Sequence, residues 1–182
     1  MQTNIVLTLT GPDRVGLVEA VTKLLLNRGG NVETSRMSRL GGAFAILMLV
    51  SIPAEQVTHL DQEFAALVAQ GYKVTVSETE QAQAAPQAGW QPYQIDVQGA
   101  DQEGIIYQVS QMLAQRGINI ESADTRTAPA AMSGDPLFSM TALVFVPPTL
   151  TGTDWQADLQ AVARQMNVDI VVSSGPNTKP YP

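Results

Sequence analysis

The sequence predicts an α+β protein made of two copies of one βαββαβ unit. The first reason is a repeated segment, because GPDRVGLV begins at Gly11 and GADQEGII begins 88 residues later at Gly99. The second reason is that NRGGNVE at 27–33 returns with the same offset as QRGINIE at 115–121. A shared register of this length indicates a duplicated supersecondary unit. The 182 residues are enough for two such units with a linker and a tail.

The first strand and the first helix of each copy follow from the spacing of apolar residues. Alternation with period two predicts the strands, at Ile5, Leu7 and Leu9 and again at Tyr93, Ile95 and Val97. Helical spacing then predicts amphipathic helices from Leu17 to Leu25 and from Ile105 to Leu113. We expect Asp13 and Asp101 to cap the N-termini of these helices. Gly29 and Gly117 are expected to end them in the left-handed conformation.

The middle strands of each copy form a predicted hairpin. In the first copy a second strand covers residues 31–40, and Gly41-Gly42 turns the chain into a third strand over 43–52 that Pro53 stops. In the second copy the third strand covers 138–146, before Pro147. Pro147 follows Pro53 by 94 residues, whereas the repeat offset is 88. The difference indicates that six residues are inserted in the second hairpin, within 128–136.

A second helix and a closing strand complete each copy. The helices are predicted from Val57, Leu60, Phe64, Leu67 and Val68, and from Trp155, Leu159, Val162 and Met166. The closing strands contain Val74 and Val76 in the first copy, and Ile170 and Val172 in the second. The order βαββαβ predicts the ferredoxin-like arrangement, in which two helices cover one face of a four-stranded antiparallel sheet.

Composition places the boundaries between these parts. We expect the first unit to cover 1–78, a linker rich in Ala, Gln and Pro to cover 79–91, and the second unit to cover 92–173. Residues 174–182 are expected to form an extended tail.

The charge of the chain argues against direct binding to nucleic acid. The net charge is −7, whereas sequence-independent binding to nucleic acid depends on Lys and Arg side chains that neutralise phosphates. Residues 1–78 contain six basic and seven acidic side chains, and residues 92–173 contain three basic and nine acidic ones. The two copies therefore differ in electrostatics, and we do not expect them to do identical work.

The sequence also predicts a cytoplasmic protein with no membrane partner. No apolar run reaches the roughly 18 residues that a membrane span needs. The first four residues, MQTN, lack the basic start and the apolar stretch of a secretory signal. There is no cysteine from which a disulfide framework could form.

The third strands are apolar on both of their faces. Leu47 and Leu49 alternate with the apolar residues of the core face, and Leu143 and Phe145 do so in the second copy. A sheet with helices on one side only would leave these side chains in water, at about 25 cal/mol per Å² of apolar surface. We therefore expect the other repeat or another chain to cover them, and we expect a homo-oligomer.

The turn between the first strand and the first helix offers chemistry for binding an anion. Gly16 and Gly104 are predicted at the start of a helix, where backbone N–H groups are free and a carboxylate or phosphate can bind. Asn31 and Asn119 offer a donor and an acceptor at the start of the second strand. The alternative is that these glycines serve only a tight turn and close packing, and that the asparagines serve only a turn.

These motifs together resemble the ACT domain, a small-molecule-sensing regulatory module, over about nine-tenths of the chain. A pair of such domains is similar to the glycine cleavage system transcriptional repressor family. The resemblance implies an amino-acid ligand bound between two ACT units, by the strand-to-helix loop of one and the start of the second strand of its neighbour. The implied contacts are Asp13, Arg14, Val15, Gly16, Leu17, Asn31 and Val32, and in the second copy Asp101, Gly104, Ile105, Asn119 and Ile120.

The second copy departs from the pattern of the resemblance. Ala100 replaces Pro12, and Gln102-Glu103 replaces Arg14-Val15. The exchange removes a cation and adds an anion beside the anion-binding turn. We therefore expect the second site to be weaker or empty.

The residues give little support to an enzyme. His59 is the single histidine and lies among polar residues of a predicted helix, where a solvated side chain is expected. With one histidine and no cysteine, a metal site of nitrogen and sulfur ligands cannot form. We expect no catalytic residue, no metal and no cofactor. The predicted function is amino-acid sensing through a protein partner, with a non-binding ACT interaction module or a detached regulatory subunit of a metabolic enzyme as alternatives.

Overall fold

The computed structural model describes residues 1–79, 89–130, 134–150 and 152–175. The chain divides into two compact units, Met1–Ala84 and Ala85–Pro182. The first unit contains β1 (Gln2–Pro12), α1 (Leu17–Asn27), β2 (Asn31–Leu40), β3 (Ala43–Pro53), α2 (Ala54–Val57), α3 (Leu60–Ala69) and β4 (Lys73–Thr79). The second contains β5 (Gln91–Ala100), α4 (Ile105–Gln115), β6 (Asn119–Pro129), β7 (Pro136–Val146), a 3₁₀ turn (Pro148–Leu150), α5 (Trp155–Met166) and β8 (Val168–Ser174).

Each unit has one antiparallel sheet of four strands, and the two sheets have the same topology. The strand order is β2-β3-β1-β4 in the first unit and β6-β7-β5-β8 in the second. Alternate residues of the central strands are buried with the helices, as Ile5, Leu7 and Leu9 illustrate with no exposed surface. The second unit has a separate core of the same kind. The predicted ferredoxin-like α+β fold is confirmed.

The predicted N-terminal caps are wrong, because glycines begin α1 and α4. Gly16 and Gly104 occupy the N-cap positions with φ of 81° and 93°, and neither helix has a side-chain cap. Asp13 and Asp101 lie three residues earlier. The Asp13 N–H donates to the Gly42 carbonyl, and the Asp101 N–H donates to the Pro136 carbonyl. The left-handed turn thus separates each aspartate from the first helical N–H groups.

The predicted helix ends are confirmed. Gly29 and Gly117 follow α1 and α4 with φ of 72° and 67°. The Gly29 N–H donates to the Leu26 carbonyl, and the Gly30 N–H donates to the Leu25 carbonyl. This pair of bonds is a Schellman motif, which satisfies the last carbonyls of the helix.

Several element ends differ from the prediction by one or two residues. β7 begins at Pro136, and the second helix of the first unit is divided at Thr58 into α2 and α3. Thr79, Gln91 and Ser174 belong to strands rather than to the linker or the tail, because they pair with neighbouring strands. Residues 80–88 and 176–182 lie outside the described residues, so the linker and the tail remain predictions, as does the domain division.

The sheet faces opposite the helices are not covered uniformly. Leu47 exposes 47% of its surface, while Leu49 and Leu143 are half-buried and Phe145 is buried. Leu47 is therefore available to a further molecule, and its covering stays a prediction. Among the helices of the described residues, none is both long and apolar enough to cross a membrane.

Candidate functional site

Residues 13–16 join β1 to α1 and place the helix N-terminus at the surface of the first unit. The Leu17 N–H donates to the Arg14 carbonyl at 3.4 Å, and the helical ladder starts with the Ala20 N–H on the Gly16 carbonyl at 2.9 Å. The N–H groups before Ala20 therefore have no i→i−4 partner in the helix, and they carry the positive end of the helix dipole. Val15 is fully exposed, whereas Leu17 is buried in the core. Leu17 can therefore contribute only its backbone to a ligand.

Arg14 is held beside this loop by Tyr72. The guanidinium carbon lies 5.9 Å from the centre of the Tyr72 ring, within the range of a cation–π contact. The Tyr72 hydroxyl donates to the Pro12 carbonyl at 2.9 Å. The ring also lies against Gly11, where an added Cβ would come within 3.0 Å of three ring atoms. Tyr72 therefore contacts both the end of β1 and the Arg14 guanidinium.

Asp13 faces the hairpin between β2 and β3. Its carboxylate lies 3.8 Å from the Nε atom of Arg39, and its N–H is bonded to the Gly42 carbonyl. These two contacts hold the loop against the hairpin. Sequence reasoning missed Arg39 and Tyr72, although the Gly41-Gly42 turn already placed Arg39 near the end of the first strand.

Asn31 and Val32 lie at the start of the edge strand β2. Val32 packs against the core, and Asn31 is exposed. The Asn31 Nδ2 atom donates to the Oε1 atom of Glu33 at 3.0 Å, and the Ser51 hydroxyl donates to the same oxygen at 2.8 Å. The two hydrogen bonds, led by that from Ser51, lower the pKa of Glu33 below its ordinary value. Glu33 and Ser51 were not predicted as site residues.

The loop and Asn31 lie at opposite ends of the sheet. Asn31 pairs with Ser51, which pairs with Asn4 near the start of β1, whereas the loop follows Pro12 at the end of β1. Eight residues of strand at about 3.4 Å each separate the two ends by roughly 27 Å. One unit therefore does not bring the predicted site residues together.

In the second unit, Asp101, Gly104 and Ile105 line a cleft of about 550 Å³. Ile105 is buried in the core, so its side chain is not a free surface. The other lining residues come from the loop, from α4 and from β6 and β7: Gln102, Ile106, Tyr107, Thr125, Arg126, Thr127 and Phe138. Asn119 and Ile120 lie at the opposite end of this sheet, where Asn119 is exposed and pairs with Phe145.

Two sequence differences shape this cleft. At the repeat offset, Thr125 and Thr127 occupy the positions of Met37 and Arg39, and they are smaller. The Gln102 amide donates to the Met166 carbonyl, so the residue at the position of Arg14 is turned toward the end of α5. The cleft therefore contains hydroxyl groups where the first unit has an ion pair.

The described residues contain no group of three or more His, Cys, Asp or Glu side chains arranged to hold a metal ion. The polar groups at and around the two loops are backbone N–H groups, hydroxyls, carboxylates, the Gln102 amide and the guanidinium groups of Arg14, Arg39 and Arg126. This chemistry is suited to a small zwitterion or anion.

Comparison with known families gives a match for the first unit. Residues 3–82 match the model of the ACT domain. The first unit therefore matches the ACT domain, and the second unit has the same strand order.

The chain is also similar to individual relatives. The chain is similar to the glycine cleavage system transcriptional repressors of Escherichia coli strain K12 and Shigella flexneri, each 28% identical over 127 residues. The match spans 69% of this chain and 66% of each repressor, so the chain spans about two thirds of their length.

Solved structures resemble the chain over nearly its whole length. An unknown protein from Galdieria sulphuraria is 31% identical with a TM-score of 0.84, covering 97% of this chain and 100% of that one. A protein proposed to be a glycine cleavage system transcriptional repressor is 22% identical with a TM-score of 0.70, covering 97% and 99%. The second likeness supports the fold alone.

Proposed function

We propose that this protein senses a small amino acid and passes the signal to a protein partner. The observation that carries the proposal is the loop at Gly16, where the first turn of α1 has no side-chain cap and follows Arg14, whose guanidinium lies over the Tyr72 ring. A ligand carboxylate would accept hydrogen bonds from the N–H groups of this turn and pair with the guanidinium. In this arrangement Arg14, Val15 and Gly16 bind the ligand's carboxylate end.

A second copy of the chain supplies the other half of the site in this proposal. Asn31 and the backbone of Val32 lie about 27 Å from the loop of their own unit, at the stated rise per strand residue. They can therefore complete a site only with the loop of another unit, which this proposal places on the second copy. The exposed Leu47 supports self-association, since pairing would remove its apolar surface from water.

The signal is proposed to reach transcription through another protein. The chain has a net charge of −7, which does not favour direct contact with DNA phosphates. The similar proteins from Escherichia coli and Shigella flexneri are transcriptional repressors of the glycine cleavage system. We extend to this chain a regulatory, non-enzymatic role in amino-acid metabolism, in the cytoplasm.

Thermal denaturation with each of the twenty standard amino acids tests the proposal. A ligand at a hundred times its Kd stabilises the native state by about 2.7 kcal/mol, which raises the Tm of a small domain by roughly 10 °C. We expect at least one small amino acid to raise the Tm, and Arg14→Gln to reduce the effect. A chain whose Tm responds to none of them would instead be a non-binding interaction module.

A further inference from the structure

Glu33 is the extra residue of a β-bulge in the edge strand β2. The register of β2 against β3 shifts between Val32 and Thr34, so Glu33 has no direct partner on β3. A bulge changes the direction of a side chain, which would otherwise follow the alternation of side chains between the two faces of the sheet. Here the carboxylate lies with Asn31 and Ser51, on the side of the sheet where both of their side chains lie.

One carboxylate oxygen of Glu33 is anchored and the other is free. Oε1 accepts hydrogen bonds from both the Asn31 amide and the Ser51 hydroxyl. Oε2 has no hydrogen bond or ion pair in the described part of the chain. Because the Asn31 amide nitrogen is turned to Glu33, the Oδ1 atom of Asn31 is also left as an acceptor. Two oxygen acceptors, one of them charged, therefore belong to side chains that a hydrogen bond joins.

The second unit lacks this arrangement, although it has the same bulge. Glu121 and Asn119 repeat Glu33 and Asn31, but the strand residue opposite Asn119 is Phe145 instead of Ser51. Within the described residues Glu121 makes no side-chain hydrogen bond or ion pair. Ser51 is thus the difference that lets the first unit fix its glutamate.

We propose that Glu33, anchored by Ser51, binds the ammonium group of the amino-acid ligand in the first-unit site. An ammonium has three donors, and Oε2 of Glu33 and Oδ1 of Asn31 accept two of them. The carboxylate makes the site select a zwitterionic amino acid over a carboxylic acid without the amine, since such an acid leaves both oxygens without a donor. The inference rests on the proposed amino-acid site, in which Asn31 contacts the ligand.

Calorimetry on the full chain tests the inference with matched pairs of probes. Glycine and acetate differ by the ammonium group, as do L-serine and 3-hydroxypropionate. For Glu33→Gln we expect about a tenfold loss of affinity for glycine and L-serine, and no loss of affinity for the two acids without an amine, which no longer meet the negative charge. Ser51→Ala should lose about threefold, and Ser51→Thr, which keeps the hydroxyl, should bind as the wild type does.

The control variant is Glu121→Gln, which makes the same change at the equivalent bulge of the second unit. It should leave the affinity for glycine unchanged. The Asn31 side-chain NH₂ signals in ¹⁵N NMR supply a readout without ligand, and they should shift in Glu33→Gln and stay in place in Glu121→Gln.

The outcomes separate the inference from the proposed function. If the wild-type chain binds glycine or L-serine and Glu33→Gln binds it equally well, the inference is overturned while the amino-acid site stands. If Glu33→Gln weakens acetate as much as glycine, the carboxylate does not recognise the amine and the inference also fails. If the wild type binds none of the twenty standard amino acids, both proposals fall.

Discussion

Gly11→Ala is the substitution whose effect the structure defines most sharply. Gly11 lies in β1 under the ring of Tyr72, and a Cβ atom there would come within 3.0 Å of Cδ1, Cε1 and Cγ of that ring. Ordinary van der Waals contacts of a Cβ begin near 3.4 Å, so the ring would have to move. Tyr72 is only 4% exposed and donates to the Pro12 carbonyl, so movement disturbs both packing and a hydrogen bond.

The expected cost follows from these two losses. Overpacking of a well-packed core costs about 1–3 kcal/mol, and a net hydrogen bond contributes about 1 kcal/mol. We therefore expect Gly11→Ala to lower the free energy of unfolding of the first unit by roughly 2–3 kcal/mol. Displacement of the ring also removes the support of Arg14, so affinity for an amino-acid carboxylate should fall in the same variant.

A double-mutant cycle in urea denaturation identifies the cause. In a Tyr72→Ala background the ring is gone, so Gly11→Ala should cost less than about 0.5 kcal/mol, with a coupling energy of roughly 2 kcal/mol between the sites. Gly117→Ala is a useful contrast, because an added Cβ meets nothing within 4 Å there and only its φ of 67° opposes the change. An equal cost of Gly11→Ala in both backgrounds would refute the reasoning.

Three other outcomes are expected. Gly16→Ala should destabilise the first unit by about 1–2 kcal/mol in denaturant titration, because a φ of 81° is unfavourable for a residue with a Cβ; an unchanged midpoint would show that the loop adopts another conformation. Leu47→Arg should shift the chain toward monomer in light scattering, since it puts a charge on the exposed apolar strand face; an unchanged mass would remove Leu47 from the interface. The lowered native pKa of Glu33 means that its contribution to stability is present above its unfolded value near 4.5 and lost as the pH falls through the lower native value. Glu33→Gln should remove that part of the acid dependence, and identical acid denaturation curves would contradict it.

The repeat allowed most of the fold to be predicted. Apolar periods of two and 3.6 residues located the strands and helices, and Gly29 and Gly117 fixed the helix ends through a conformation that glycine readily adopts. The caps were assigned wrongly because Asp and Gly both fit an N-terminal signal. In the structure Gly16 begins the helix with a φ of 81°, and the Asp13 N–H donates to the Gly42 carbonyl in the hairpin.

The residues that surround the predicted site depend on contacts between distant parts of the chain. Tyr72 is 58 residues from Arg14 and Ser51 is 18 residues from Glu33, so neither pair has a local spacing that indicates contact. The bulge at Glu33 could not be predicted from the sequence either, because it changes the register of β2 against β3 without changing the apolar pattern of β2. These partners appear only when the strands are paired.

The contrast between Arg14 and Gln102 explains why we expect the two units to differ in affinity for a carboxylate. In the first unit the guanidinium stays beside the loop because Tyr72 supports it, and in the second the Gln102 amide is engaged by the Met166 carbonyl while Glu103 adds a negative charge. At about 6 Å and an effective dielectric constant near 20, one charge changes the interaction by roughly 3 kcal/mol before screening by water and salt. Half of this energy still makes the affinities of the two units for a carboxylate differ by about tenfold. Exchanging the two residues, as Arg14→Gln with Gln102→Arg and Glu103→Val, should therefore move glycine binding toward the second unit. Calorimetry that finds binding unchanged by the exchange would show that the carboxylate does not bind at these loops.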